Sequence, residues 1–496
     1  FLYYNKMPEV RARNLNNLTM KYLTLNPVNG TSSSEFSYRG GLPLIRFDLA
    51  SSDVPMLMDG KNLRINGRLT ARTTAGNKLN PLQNNYLDNY AGAFAHCVQN
   101  VVVSSKRLNQ TLERVSQYSR VVPSIVSQLN NNKYIDTALA IGGIHAGTIP
   151  QMRHNLNAYH EYDVNGNSVA DANQTGVNFS APLYCGIFQS GEDLDLSGQT
   201  GIGGCTIEIL LQPDSSVVFG SDASAGGTQA TYTLSDLTLT CPVYVMEGEN
   251  DYAGSVNQYK FNSWSNMFQT LNSSTSVVAF TPGLNSATSV LQNFITATDL
   301  GDQRFNNCRL GSVGEIRNCR FSKNGSLFPL QFRLQSVAQN NNEQARPLPA
   351  NPDSGHVYSV DAEWLRYGLE GVGAKRFARI KNTAREYTGW SSGSVDKDQN
   401  AGRGGDTPGS AFTQAILFDA FGGGTDFSQQ VFSFELVTSA DSKAVRGYDA
   451  VAGAVLPAGG LSNSIDGTSA TAQACFLYFL NQNTINYSPQ GIDISR

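Results

Sequence analysis

The sequence predicts an all-β protein built as two tandem jelly-roll β-sandwiches, each of about eight strands, with long loop insertions and a few short helices. Three observations carry this. Short apolar runs rich in Val, Ile, Phe and Tyr recur along the chain between clusters of Gly, Asn, Asp and Ser, the signature of strands separated by turns. Charged residues make up 15% of the 496, below the ~25% usual for globular proteins, and 47 glycines help fill the difference, as turn-rich loops require. The two halves also close alike: TIEILLQPDSS (206–216) leads through a loop to a long strand over 230–246, and FSFELVTSADSK (432–443) leads to another over 474–487.

The elements follow in order. Residues 1–16 read as a polar, basic, mobile N-terminal arm, with Lys6, Arg11 and Arg13. A first sandwich spans 17–248. Its strands are expected at LTMKYLTLNP (18–27), LPLIRFDLAS (42–51), and MLMDGKNLRINGRLTART (56–73), the last broken by turns at Asp59-Gly60 and Asn66-Gly67. CVQNVVVSS (97–105) is a further strand. In 108–129, Leu108, Leu112, Val115 and Ser119 recur at helical spacing and predict a helix that Pro123 ends or kinks. A long polar stretch (153–178) precedes strands at APLYCGIF (181–188), CTIEILLQ (205–212) and 230–246.

The polar, Gly-containing 247–258 is the predicted boundary, and a second sandwich spans 249–496. Its strands are expected at 275–282, 326–336 and 431–439, with a helix over 359–373 and a Gly-rich loop insertion over 389–427. At the C-terminal end, Ala474 to Leu480 is an almost unbroken apolar run, too short for a buried helix, and reads as a strand buried on both faces. Asn481, Gln482 and Asn483 read as a turn, after which Ile485, Tyr487, Ile492 and Ile494 alternate with polar residues. Such an ending must pair inside a sheet or expose an aggregating edge, so it is expected to be central to the fold.

Composition and motifs exclude several function classes. A formal charge of −4 gives no global attraction to nucleic acid, and no apolar run reaches the ~18 residues of a membrane-spanning helix. The seven dispersed cysteines, with no CxxC pair, read as reduced thiols of a reducing compartment. Gly389-Trp390-Ser391-Ser392-Gly393 spells a nucleophile elbow, but the Gly- and Asp-rich sequence after it cannot form the required helix, and all five histidines precede it. His154, His160, Glu161 and Asp163 lack metal-site spacing, and 163–168 lacks the bidentate Glu of a calcium loop. Gly198–Cys205 precedes a strand rather than a helix, so it is no phosphate cradle. Glu192 with Asp193 or Asp195 is a carboxylate pair of the kind glycosidases use, read here as a solvated loop. The expectation is no catalytic residue, no cofactor and no metal.

Two surface features remain. The aromatic-rich YKFNSWSNMF (259–268) is read as a loop supplying interface anchors Tyr259, Phe261, Trp264 and Phe268, with ordinary core packing as the alternative. KRFARIKNTAR (375–385) gathers Lys375, Arg376, Arg379, Lys381 and Arg385 with no acid among them. It reads as a solvated or subunit-contact face, with an acidic partner or nucleic acid as the other use.

The stretches VVVSSKRLNQTLERVSQYSRVVPSI (101–125, with Glu113 and Tyr118), TIEILLQ with ATYTLSDLTLTCPVYVM (206–246), NGSLFPLQFRLQ (324–335) and ACFLYFLNQNTINYSPQGIDIS (474–495) together resemble the double jelly-roll major capsid proteins of eukaryotic double-stranded DNA viruses, of the polinton-like virus and virophage type. The 389–427 insertion departs from that pattern. The resemblance implies a structural virion protein, not an enzyme. It implies a homotrimer whose six jelly rolls form a pseudo-hexagonal capsomer, tiling an icosahedral capsid with neighbouring capsomers, penton and minor or cement proteins. The N-terminal arm would lie beneath the shell. Location in the virion, synthesis and assembly inside the host cell, and no sequence-specific nucleic-acid binding follow from it. The alternative reading is a glycan- or receptor-binding β-sandwich such as a lectin or spike.

Overall fold

The computed structural model describes residues 18–31, 33–51, 56–73, 86–87, 93–107, 109–122, 177–198, 201–219, 230–246, 257–271, 275–296, 316–328, 334–335, 413–418, 424–438, 473–488 and 491–495. The N-terminal arm 1–16, the helix expected over 359–373, the basic stretch 375–385, the 389–393 motif and His154 and His160 lie outside them.

The first half contains β1 (Leu18–Leu25), β2 (Leu44–Leu49), β3 (Met56–Met58), β4 (Arg64–Thr73), β5 (Tyr86–Leu87), β6 (Val98–Ser105), β7 (Thr111–Ser116), β8 (Val177–Pro182), β9 (Leu194–Asp195), β10 (Cys205–Leu211), β11 (Val218–Phe219) and β12 (Ala230–Met246). Short helices α1 (Ala93–Cys97) and α2 (Gly186–Gln189), and a helical turn over 118–122, interrupt it. One sheet runs β1-β12-β4-β8, with β3 and β9 added beside β12. The other runs β2-β10-β6-β7. Every pairing is antiparallel.

The second half repeats this order. It contains β13 (Asn257–Leu271), β14 (Thr275–Phe280), β15 (Ala287–Thr296), β16 (Ile316–Lys323), β17 (Ser326–Leu327), β18 (Leu334–Gln335), β19 (Thr413–Leu417), β20 (Phe432–Thr438), β21 (Gln473–Ser488) and β22 (Gly491–Ser495). One sheet runs β13-β21-β15-β19 with β22 beside β21, and the other runs β14-β20-β16-β17 with β18 also on β16. In each half the first strand pairs with the last long one and the second with the next to last. That is the wrapped connectivity of a jelly roll, so the chain is an all-β double jelly roll.

Several local expectations fail for identifiable reasons. Of the helix expected over 108–129, Thr111–Ser116 is instead strand β7, and the chain turns helical only over 118–122. The ladder shifts register between Val103 and Ser104, opposite Glu113 and Thr111, so Leu112 is the extra residue of a bulge. The bulge lets Leu112 and Val115, three apart, both reach the core, a spacing that imitates a helix. Asn66-Gly67 is not a turn but mid-strand in β4. Opposite it, β12 bulges between Ser235 and Thr238, with Asp236 at φ 53°. Buried Leu237 fills the space beside Gly67, where a Cβ would lie 2.5 Å from its Cδ2. The expected strand over 181–188 ends at Pro182 and gives way to α2. The stretch 259–268 is no loop, since it lies wholly within β13. The Gly-rich insertion contains strand β19.

Asn481–Asn483 also stays in strand, because β21 pairs with β13 without interruption from Gln473 to Tyr487. This strand is buried on both faces, as its apolar run predicts. Cys475, Leu477 and Phe479 enter the second half's core with Val290, Phe432 and Phe434. Phe476 and Tyr478 point the other way, into the core of the first half. At Leu480–Asn481, opposite Trp264–Ser263, the facing changes parity: Tyr478 and then Ile485 and Tyr487 enter the first core, as do Trp264 and then Phe261 and Tyr259. Buried Asn481, Asn483 and Ser263 mark the change. Asn481 donates to the Asn483 side chain (2.5 Å) and accepts from the Ser286 N–H (3.1 Å). Among the described residues, Cys97, Cys185, Cys205, Cys241 and Cys475 are buried.

If β21 divides its side chains between two cores, Leu477→Ala and Tyr478→Ala should each lower unfolding stability by about 2–5 kcal/mol, although the residues are neighbours facing opposite ways. Denaturant unfolding of the two variants checks this. A negligible cost for either one would show that its face is not a core.

Candidate functional site

The most elaborated buried polar constellation among the described residues lies where the two halves meet. Sequence dictates its parts. Alternation from buried Val115 turns Glu113 of β7 inward beside the Leu112 bulge, and Pro182 ends β8 just before the chain folds into the single turn of α2. β13 then crosses this turn. Glu113 is 3% exposed and its carboxylate accepts three hydrogen bonds: from the Gly186 N–H (3.0 Å), the Ile187 N–H (2.8 Å) and the Ser263 hydroxyl (2.6 Å). Two of these donors belong to the first half and one to the second, so the carboxylate ties β7, α2 and β13 together.

The rest of the seam reinforces this tie. The Tyr118 hydroxyl accepts from the Tyr184 N–H (2.8 Å), just upstream of α2. From the other side, the Tyr259 hydroxyl of β13 donates to the Ile187 carbonyl and shares a hydrogen bond with Ser190 Oγ (2.6 Å). The backbones touch at Gly186, where a Cβ would lie 1.7 Å from the Asn262 carbonyl oxygen. Below, the Arg120 guanidinium sits 5.0 Å from the ring centroid of Phe476, a cation–π contact between the halves. Burial pushes the Glu113 carboxyl above its usual range, and the bonds from Ser263, Ile187 and Gly186 pull it partly back.

The four aromatic candidates separate here. Tyr259, Phe261 and Trp264 are 3%, 2% and 8% exposed and pack into the first half's core, so the interface they serve within one chain is the one between its own halves. Phe268 alone is exposed, at 45%, with its ring 5.0 Å from that of Phe476. Lys375, Arg376, Arg379, Lys381 and Arg385 lie outside the described residues. Glu113 and Tyr118, marked by the family resemblance, prove to grip the same short segment from two sides. Gly186, Ser263, Arg120 and Phe476 were not singled out from sequence. No local signal distinguishes them, because each matters only through a partner at least 70 residues away.

Chemically this is a clamp. Glu113 has no open face for a substrate, and its hydrogen-bond partners are all donors from the fold itself. No group of three or more His, Cys, Asp or Glu able to hold a metal ion occurs among the described residues.

Gly186→Ala should force the halves apart and lower the unfolding temperature by several degrees, read by calorimetry, since neither backbone can yield freely. Glu113→Gln replaces one acceptor oxygen with a donor, strands a buried donor, and should cost about 1–3 kcal/mol. It also removes a titration. A carboxyl raised in the folded state contributes no penalty at acid pH, where both states hold the proton. As pH rises from the usual glutamate range through the raised value, the unfolded chain releases its proton first and stability falls. The wild-type advantage over the Gln variant should therefore shrink with rising pH across that window and then level, in unfolding curves taken from acid to neutral pH.

No protein-family model matches the sequence, and no curated protein matches it. Solved structures do. PBCV-1 VP54, in a crystal structure fitted into a cryo-EM reconstruction of the virophage Sputnik, is 12% identical over 100% of this chain and 99% of its own, with a TM-score of 0.53. The quasi-atomic model of the PBCV-1 virus capsid is 11% identical over 100% and 99%, with a TM-score of 0.50. The mavirus major capsid protein is 9% identical over 95% and 89%, with a TM-score of 0.48. The two PBCV-1 likenesses extend over essentially the whole of each chain, and this chain has the double jelly-roll fold of those viral capsid proteins.

Proposed function

We propose that this chain is a structural virion protein, a major capsid protein whose copies associate into capsomers that tile an icosahedral shell. The observation that carries the reading is the end-to-end match of both sandwiches to PBCV-1 capsid protein. The seam supports it. A buried carboxylate clamp and a strand shared by two cores fasten the two sandwiches to each other, as repeated packing into a shell requires. The role is assembly rather than catalysis.

In the finer reading, three copies give a capsomer of six jelly rolls with a pseudo-hexagonal outline. Its partners are neighbouring capsomers, penton proteins and minor or cement proteins, and the arm 1–16 ties neighbours together from beneath. Assembly takes place inside the host cell and the product resides in the virion capsid. Phe268, the exposed member of the aromatic set, is assigned to contact between copies, and the basic stretch 375–385 to a subunit-contact face.

Light scattering and electron microscopy of one chromatographic peak test this. A species of 3 × 53.6 kDa, about 161 kDa, with a hexagonal outline is expected. A stable 53.6 kDa single chain that forms no arrays would overturn it. Within that assembly, Phe268→Ala should weaken association and leave the unfolding temperature nearly unchanged, whereas Trp264→Ala should lower the unfolding temperature of the chain itself.

A further inference from the structure

In each half the second strand lies at the edge of its sheet. Among the described residues, β2 pairs only with β10 and β14 only with β20. The two edges are counterparts. Arg46 stands opposite Glu208 of β10, and Val277 stands opposite Glu435 of β20. Both Arg46 and Val277 face away from the core. Ile45 and Phe47 on either side of Arg46 are buried, as is Val278 beside Val277.

The first half closes its edge from within. Residues 26–43 join β1 to β2, and part of this connection lies along β2. The Val28 N–H donates to the Arg46 carbonyl (2.7 Å). The Asn29 side chain accepts from the Arg46 N–H (3.0 Å) and donates to the Leu44 carbonyl (2.5 Å). Charge adds a second guard, with Arg46 paired to Asp48 (3.3 Å) on the same strand. Among the described residues β14 has neither. Only residues 272–274 join it to β13, too few to return along its edge. Its sequence, TSVVAF, holds no charge and no Pro. Val277 is 66% exposed, Ala279 is exposed, and Phe280 is only partly buried against the second core. By the match to Arg46, the N–H and C=O of Val277 point out of the sheet, and those of Ala279, two residues on, point the same way.

We infer that the outer edge of β14 is a strand-addition site for an extended, uncharged segment of a different polypeptide. The backbone dictates the class of partner, because N–H and C=O groups repeating every second residue are matched by another extended chain. The side chains dictate its composition. A charge beside Val277 or Ala279 would lose water and gain no ion pair from the strand, whereas a β-branched or aromatic residue packs on Val277. A residue on the opposite face of the added strand covers the rest of Phe280. The first half shows the equivalent edge filled by a backbone N–H and a side-chain amide, the groups an added strand would supply. The inference goes beyond the capsid reading and does not depend on it, since it concerns one edge of one chain.

The probe is a fluorescein-labelled peptide of three Thr-Val repeats, titrated with the full chain and read by fluorescence anisotropy. Its control is the same peptide N-methylated at every residue, which keeps the side chains and removes the donors. The expected result is that the probe binds and the control binds about tenfold more weakly or worse, as the loss of two hydrogen bonds dictates. The double variant Val277→Lys, Ala279→Lys should weaken the probe by about as much, through the lysine guard of a free edge. Its unfolding temperature should equal that of wild type, because both residues are exposed. A benzoylphenylalanine in the probe should crosslink to residues 275–280. Equal binding of the two peptides would mean apolar adhesion and overturns the inference, as does a crosslink to residues 18–25 of β1, or no binding at all. Benzoylphenylalanine at position 277 of the chain itself tests self-pairing: a crosslink to β14 of a second copy also overturns the inference.

Discussion

Strand β21 is the constraint on which the rest of the structure depends. A strand has two faces, and in an ordinary sandwich one of them meets water. Here Cys475, Leu477 and Phe479 complete the second core, while Phe476 and Tyr478 complete part of the first. Neither half can therefore bury its full apolar surface without the other. The apolar run 474–480 would be an aggregation hazard on any exposed edge and is safe only because strands flank it on both sides and a second sandwich covers its outer face.

Sharing a strand between two cores creates a geometric problem, and the buried polar groups sit where it is solved. As β13 and β21 pass from one environment to the other, their facing changes parity at Ser263–Trp264 and Leu480–Asn481. Asn481, Asn483 and Ser263 occupy the crossing, and the hydroxyl of Ser263 reaches Glu113. The carboxylate satisfies two backbone N–H groups at the start of α2 that would otherwise be buried without a partner. The desolvation cost of Glu113 is thus offset by three donors, and the joint gains a defined angle that apolar packing alone, which is non-directional, does not specify.

The same duplicated unit also explains why an aromatic face is hidden in one place and open in another. A jelly roll presents an outward sheet face whatever its neighbours. In the second half Tyr259 and Phe261 are covered by the first sandwich of the same chain, whereas Met20 and Tyr22 in the first half are exposed.

Much of this was legible in the sequence, for a physical reason: side-chain alternation along a strand is local. The long strands 230–246 and 474–487, the doubly buried run at 474–480 and the likeness of the two closing segments all follow from periodicity and turn residues. What sequence misread were the places where alternation slips. Leu112 and Val115 looked helical because a bulge puts residues three apart on one side. Asn66-Gly67 and Asn481–Asn483 looked like turns because Gly and Asn are turn residues, yet one accommodates Leu237 and the other the crossing between cores. Sequence by itself determined that this is a chain of β-sandwiches without a recognisable catalytic motif. Only the tertiary structure decided that Tyr259, Phe261 and Trp264 serve the seam within the chain, that Glu113 fastens it, and that Met20 and Tyr22 remain outside. Each of those roles depends on which distant strand lies opposite, and no local pattern of residues encodes a partner more than a hundred positions away.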